Sequence, residues 1–501
     1  MQKYILSLDQ GTTSSRSILV NKIGDIVASH FIEIKQIYPS PGLVEHDPIE
    51  ILNSQLDSVK FLLQKSNVNI EQILSIAVTN QRETTVMWNK KTGEPVYNAI
   101  VWQDRRTSDK IKQLKENGYE HIFRNKTGLV LDSYFSGTKI QWILENIKEA
   151  KELLQENNLL FGTIDSWLVW NLTGKKYHVT DESNASRTML FNIHTGEWDD
   201  ELLSILDIPR DILPQIVGSS QVIGETCYSI FNKSVPISSI VGDQQAATFG
   251  SLCLKQGMVK NTYGTGCFML MNTESNIFPS TNNLLTSTLW KIKDKRQYCL
   301  EGAVFTGGAV VQWLKDGLKI IENSSEVEEL ALSVQDNAGV YLVPAFTGLG
   351  APYWDQYARG TIVGITRGVT QAHIARAALE SIAFQVNDVL KSIESDSGKN
   401  VTMLRVDGGA CKNNFLMQFQ ADILNIPIER PVFLELTALG AAYLSGLAVG
   451  YWSSIEELKG VWKLDKIFIP SMSDIKREEL LSGWREGVSR SLMWAKNESK
   501  L

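Results

Sequence analysis

Residues 5–16 read Ile-Leu-Ser-Leu-Asp-Gln-Gly-Thr-Thr-Ser-Ser-Arg. The apolar run from Tyr4 to Leu8 has the composition of a buried strand. It delivers Asp9 to a turn in which Gly11 can take backbone angles closed to other residues. Hydroxyls at Thr12, Thr13 and Ser14 and the guanidinium of Arg16 follow. With backbone N–H groups, these are ligands for a polyphosphate, and Asp9 at the strand end can hold an accompanying Mg²⁺ through water. A β-hairpin with an inert polar turn accounts for the same residues, since Ser15 to Val20 is again strand-like.

Two other segments repeat the pattern. Residues 403–413, Met-Leu-Arg-Val-Asp-Gly-Gly-Ala-Cys-Lys-Asn, run from a short apolar strand into Asp407, Gly408 and Gly409. Residues 237–245, Ile-Ser-Ser-Ile-Val-Gly-Asp-Gln-Gln, end a strand at Gly242 and Asp243. Strand-to-Asp turns near opposite ends of a chain suggest two similar halves facing one nucleotide; coincidence over so few residues is the alternative.

A chain of 501 residues favours two or more domains. Its net charge of −7 provides no basic surface for nucleic acid and no polybasic membrane patch, so an anionic ligand must be held by local geometry. The opening residues break their apolar run too early for a signal peptide, and no stretch approaches membrane-spanning length; the expectation is a cytoplasmic protein without an integral membrane segment. Cys227, Cys253, Cys267, Cys299 and Cys411 show no metal spacing and read as reduced thiols.

The elements alternate in an α/β pattern. Residues 73–79 and 86–88 read as strands, and helical patterns follow Pro48 and run from Thr138 through Ile147. Later come strands at 340–345 and 361–365, a helix near His373, and a small-residue helix after Leu436 that suits close helix packing. The boundary falls near 250, giving units of 1–251 and 252–501, with a helix from Gln244 to Leu254 at the hinge. The charged tail from Ile475 reads as a surface amphipathic helix with Trp484, Leu492 and Trp494 available for docking.

The chain has neither GxxxxGK[ST] nor GxGxxG. Thr262 to Cys267 forms a Gly-rich strand-end loop suited to a phosphate, or a plain turn. Gly307 and Gly308 precede an apolar helix carrying Gln312, and Gly409 precedes Asn413; each pair permits close approach of a phosphate or base, or caps a helix. The polar residues available to an acceptor include Arg82 and Glu83, which face one ligand only if they lie in a turn and otherwise form an exposed ion pair. Asp243 is a candidate base; it is equally the N-cap of the helix at Gln244, whose dipole would stabilise the anion and weaken the base.

Together these residues resemble the glycerol-phosphorylating branch of the FGGY carbohydrate kinase family. The likeness runs through LDQGTTSSR at 8–16, TNQRETT at 79–85, IVWQDRR at 100–106 and NASRTMLFNIHTGEWDD at 184–200. It continues through GDQQAATFG at 242–250, NTYGTGCFMLMNT at 261–273, VPAFTGLGAPYWD at 343–355 and RVDGGA at 405–410. The resemblance implies an α/β fold of two ribonuclease-H-like, actin-like ATPase domains with the active site in the cleft between them. It implies ATP, Mg²⁺ and glycerol as ligands, and a homo-oligomer, dimer or tetramer. Thr12, Thr13, Ser14, Arg16, Thr265, Gly308, Gln312, Gly409 and Asn413 would bind ATP, with Asp9 serving Mg²⁺ through water. Arg82, Glu83, Tyr134, Asp243 and Gln244 would bind the acceptor hydroxyls, Trp102 and Phe268 would supply the apolar wall, and Asp243 would be the general base. Kinases for xylulose, gluconate or erythritol share the family, and an actin-like ATPase switch would share the nucleotide site alone.

Between Cys227 and Pro236 the chain reads Tyr-Ser-Ile-Phe-Asn-Lys-Ser-Val. It lacks the Gly-Gly-Thr-Arg type of loop that binds fructose 1,6-bisphosphate in some relatives. Ser229 stands near the place of a histidine that phosphotransferase systems modify in others. Neither control is expected to operate.

Overall fold

In the computed structural model, which describes residues 2–495, Tyr4–Gln10 is an almost wholly buried strand. Its unbroken apolar start suits a strand flanked on both sides and covered above and below. Ser14–Val20 returns antiparallel to it with Asp9 opposite Arg16, and Ile26–Glu33 adds an antiparallel edge. The hairpin and the polar turn are therefore one object. On the other side Ile73–Asn80 and then Pro236–Gly242 run parallel to Tyr4–Gln10.

The second half repeats this arrangement. Val259–Tyr263, Cys267–Glu274 and Lys295–Val304 form the antiparallel set, and Leu404–Asp407 and Ile428–Pro431 add in parallel beside Val259–Tyr263. Both five-stranded units share strand order and direction, the ribonuclease-H-like plan expected from the likeness of the Asp9 and Asp407 segments. Ser220–Glu225 and Leu285–Ile292 join the units through the single pair Ser220–Ile292, so the sheet is continuous but its seam is narrow.

Register places the site. Gln10, Asn80 and Gly242 lie side by side at the carboxyl ends of parallel strands. Gly11, the Gln81 to Glu83 segment and Asp243 are thus delivered to one edge. In the second unit Thr262 pairs with Asp407, so Tyr263 to Thr265 and Gly408 to Gly409 leave the sheet together. The carboxyl edge of an open α/β sheet is where loops and helix N-termini converge on ligands.

Helices brace this edge from behind. Asp47 caps Pro48–Ser66, its side chain accepting the Ile49 N–H at 2.8 Å. Leu436–Ala448 crosses from the second half to pack on Asp243–Gly250 and on strands of the first unit. A Cβ on Gly440 would lie 1.8 Å from the Ala246 carbonyl oxygen, and one on Gly250 would lie 2.2 Å from that of Leu436. The small residues are packing devices, as expected. Gln371–Ser397 forms the spine of the second core, burying Ile382, Phe384 and Val389.

The last helix, Asp474–Ser491, corrects one expectation. Trp484 is not available for docking: it is buried, stacked on Phe384 at 5.3 Å, and donates Nε1–H to Asp388 at 2.7 Å. Trp494 remains 69% exposed. Among the described residues no helix is long and apolar enough to cross a membrane.

Candidate active site

The carboxyl edges of the two units line a common cleft. A cavity of about 440 Å³ is lined by Asp9, Ser14, Arg16 and Asp243 from the first unit and by Asp407 and Gly409 from the second. All three strand-to-Asp turns of the sequence meet here. A second cavity of about 580 Å³ lies within the second unit and is lined by Thr265, Gly308, Gln312, Gly409 and Asn413. Gly264, Gly409 and Lys412 line both cavities, which are therefore contiguous.

The first turn is closed by the Gly11 N–H donating to the Ser14 carbonyl at 2.9 Å, and Gly11 does not use the left-handed region. Thr12 accepts the indole N–H of Trp102 at 2.9 Å. Thr13 is exposed, its carbonyl accepting the Ile34 N–H at 3.0 Å.

The glycines of the second unit divide into two kinds. The N–H groups of Gly307, Gly308 and Ala309 donate to the carbonyls of Thr265, Gly264 and Thr265, at 2.8, 2.8 and 3.1 Å. A Cβ on Gly308 would lie 2.8 Å from the Gly264 oxygen. These amides are engaged by the protein's own loop, and Gly308 still lines the second cavity. Gly408, at φ 90°, has the Tyr263 oxygen 2.5 Å from where its Cβ would lie. Gly409 has nothing within 4 Å of that position and presents open backbone to both cavities. Asn413 caps the helix Asn414–Leu424, its Oδ1 accepting the Leu416 N–H at 2.8 Å, which leaves its amide N–H groups for a ligand. The Gln312 amide donates to Asp316 one turn along.

On the acceptor side the exposed ion pair is overturned, because Arg82 and Glu83 are buried. The Thr84 N–H donates to the Arg82 carbonyl at 2.6 Å and Glu83 has φ 60°, a strained three-residue turn that aims both side chains into one network. Arg82 donates Nη1–H and Nη2–H to Glu301 at 2.7 and 2.8 Å, and its Nε lies 3.2 Å from Asp243 Oδ1. Arg187 donates Nε–H to Glu83 at 2.6 Å and both Nη groups to Glu301 at 3.3 Å. Burial pushes the Glu301 carboxyl up, but Arg187 and Arg82 outweigh it and hold the group at about 2.

Tyr134 meets Trp102 edge-on at 5.5 Å, and Trp102 meets Phe268 at 6.2 Å. The buried Lys139 ammonium donates to the carbonyls of Ser133, Tyr134 and Phe135 at 2.7, 2.6 and 3.2 Å, pinning that turn. Burial lowers this lysine to about 7, with Glu83 and Asp104 opposing. Gln244 accepts Lys260 Nζ–H at 2.6 Å; Lys260 also donates to Thr262, which donates to Asp407 at 2.6 Å.

Asp243 is the first residue of its helix, whose N-cap is Gly242, so the N-cap expectation fails by one position. Its Oδ1 accepts the Gln244 N–H at 2.7 Å and faces Arg82 Nε. Burial raises its pKa above the usual carboxylate value, against Arg82, the Gln244 N–H and Lys260, so the expected weakening by the helix terminus does not prevail.

Sequence reasoning missed Arg187, Glu301, Lys139 and Lys260. The available signal was a charged residue inside an apolar strand, as with Glu301 after Cys299 and Leu300 and before Ala303 and Val304.

The sequence matches the FGGY family of carbohydrate kinases, its N-terminal domain over residues 4–250 and its C-terminal domain over residues 259–449. It is 59% identical to a glycerol kinase of Oleidesulfovibrio alaskensis over 497 residues, which span 99% of this chain and 100% of that one. It is also 59% identical to glycerol kinase 2 of Thermotoga maritima over 494 residues, again 99% and 100% of the two chains. Among solved structures, Plasmodium falciparum glycerol kinase with ADP superposes with a TM-score of 0.90 at 37% identity, covering 98% of each chain. Gluconate kinase from Lactobacillus acidophilus gives 0.85 at 26% identity, covering 97% of each. The duplicated fold and the full-length matches agree: the chain belongs to the FGGY family of carbohydrate kinases.

Proposed function

We propose that this chain transfers the γ-phosphoryl group of ATP to a terminal hydroxyl of glycerol, giving sn-glycerol 3-phosphate and ADP. The observation that carries the reading is the position of Asp243. One carboxylate lines the cleft cavity and also touches Arg82 in the acceptor network, so a hydroxyl bound by that network meets a proton acceptor beside a phosphoryl group held in the cleft. The glycerol kinase relatives support the choice of substrates.

In this reading Arg82, Glu83, Tyr134 and Gln244 orient the acceptor hydroxyls, and Trp102 and Phe268 cover its carbon side. As the terminal oxygen attacks the γ-phosphorus in line, Asp243 accepts its proton, the new O–P bond forms, and the bridge to the β-phosphate breaks. Thr12, Thr13, Ser14 and Arg16 hold the phosphates; Thr265, Gly308, Gln312, Gly409 and Asn413 hold the rest of the nucleotide. Closure of the units, 1–251 and 252–501, would keep water from the γ-phosphate.

Asp9 suits a divalent cation. Burial pushes its carboxyl up to about 6, Asp243 and Glu435 add to this, and Arg16 opposes it. At the strand end Asp9 would hold Mg²⁺ through water. The bound ion would supply neutralising charge to the phosphates.

An assay of ADP release tests the reading across glycerol, dihydroxyacetone, xylulose, gluconate and no acceptor. Glycerol is expected to give the highest kcat/KM; ATP turnover independent of any polyol would overturn the proposal. The aromatic wall favours a short acceptor over a longer sugar. Fructose 1,6-bisphosphate at millimolar concentration is expected to leave the rate unchanged. The segment after Cys227 is a short helix, Tyr228–Phe231, rather than a glycine loop, and inhibition would refute this expectation.

A further inference from the structure

The two cavities differ from one another in the charge of their linings. The cleft cavity is lined by the acidic residues Asp9, Asp243, Asp407 and Glu435 and by the basic residues Arg16 and Lys412. Arg16 already faces Glu435 at 3.8 Å. The adjoining cavity has Lys412 as its basic lining residue and Glu328 as its acidic one. A polyanion bridging the two cavities must pass the residues they share, and Lys412 is the cation among those.

Lys412 stands on a fixed support. It ends the short turn Gly409–Lys412, entered through Gly408 at φ 90°, where the Tyr263 backbone leaves no room for a Cβ. Arg430 fastens this turn from behind, donating Nη1–H to the carbonyls of Cys411 and Lys412 at 2.9 and 3.2 Å while its Nε–H donates to Asp465. The Lys412 side chain itself is exposed, and among the described residues its ammonium has neither an ion-pair nor a hydrogen-bond partner. The neighbouring cations Arg405 and Arg430 are both paired with carboxylates.

We propose that Lys412 is a binding residue for the polyphosphate of the nucleotide, its ammonium meeting the phosphate chain where the adenosine-sized cavity opens into the cleft. The inference rests on the reading that these cavities take ATP. An ammonium paired with phosphate forms charge-assisted hydrogen bonds, which are stronger than neutral ones. Its contribution therefore scales with the phosphates present and vanishes for a nucleoside.

Calorimetric titration of ADP and of adenosine into the parent, Lys412→Ala and Lys412→Arg proteins tests this. The alanine variant is expected to bind ADP about tenfold more weakly, the scale of one charge-assisted contact. It should bind adenosine like the parent, and the arginine variant should recover most of the ADP affinity. KM for ATP should rise in the alanine variant while KM for glycerol stays unchanged. If the parent binds ADP and the alanine variant matches it within about twofold, a margin well below one such contact, the inference falls and the function stands. An equal loss for ADP and adenosine would likewise overturn it, marking a structural effect on the turn. A parent that binds no ADP would remove both the inference and the reading beneath it.

Discussion

Asparagine in place of Asp243 is expected to lower kcat with glycerol by about a hundredfold or more, the scale of lost general-base catalysis. The two carboxylate oxygens have different duties. Oδ1 accepts the Gln244 N–H at 2.7 Å and faces Arg82 Nε at 3.2 Å. Among the described residues Oδ2 has no such donor, so in the proposed reaction it is the atom that takes the proton. Asparagine can keep its oxygen in the Oδ1 position, preserving the helix start and the contact with Arg82. Its amide then replaces Oδ2 with a group that cannot accept a proton. A loss of about a hundredfold corresponds to roughly 2.7 kcal/mol in the transition state. The loss should fall on kcat, with KM for glycerol and affinity for ADP changed only a few-fold. Steady-state kinetics with single-turnover measurement of phosphoryl transfer check this, and near-normal kcat would reduce Asp243 to a structural residue.

What could be read in the sequence was what is encoded locally. The Asp9 to Arg16 turn is specified by a short apolar strand, a glycine and three hydroxyls, and its partner at Asp407 repeats the strand, the Asp and the glycine without the hydroxyls; the duplicated sheet follows from the two together. The small-residue helix after Leu436 was legible for the same reason, because a close backbone contact requires small side chains wherever it occurs. Burial was not legible. Arg82 and Glu83 look like a solvated ion pair until Glu301, 219 residues away, takes both terminal nitrogens of the guanidinium. Asp243 looked like a weakened base because the helix terminus is a local feature, whereas the burial that raises its pKa is not. Gly307 and Gly308 show a further limit: their amides donate to the carbonyls of Thr265 and Gly264, a packing contact that no local pattern announces, while Gly308 still lines the second cavity. Trp484 was placed on the right helix, but its face depended on Phe384 and Asp388 from elsewhere in the chain.

Alanine in place of Glu301 is expected to destabilise the fold by about 3–5 kcal/mol, the cost of breaking a buried ion network from one side. The strand Lys295–Val304 carries this carboxylate from the second half into a cluster formed otherwise by Arg82, Glu83, Arg187 and Asp243 of the first. Arg82 and Arg187 are buried and each directs two Nη groups at Glu301. Without it, two guanidinium groups share Glu83 and the partly exposed Asp243; Arg82 Nη2 loses its acceptor and Nη1 keeps only Gln245 at 3.3 Å. The acceptor pocket should loosen with the fold, so KM for glycerol should rise while ADP affinity, which the proposed nucleotide site places at the other cavity, changes little. Urea unfolding followed by tryptophan fluorescence, with glycerol kinetics at low urea, measures both effects. Adding Arg187→Met separates charge from contact. If the penalty comes from uncompensated positive charge, the double variant is more stable than the sum of the single losses, because the second substitution removes part of what the first left unpaired. Strict additivity, or a Glu301→Ala loss below about 1 kcal/mol, would show that Glu301 fills space without balancing charge.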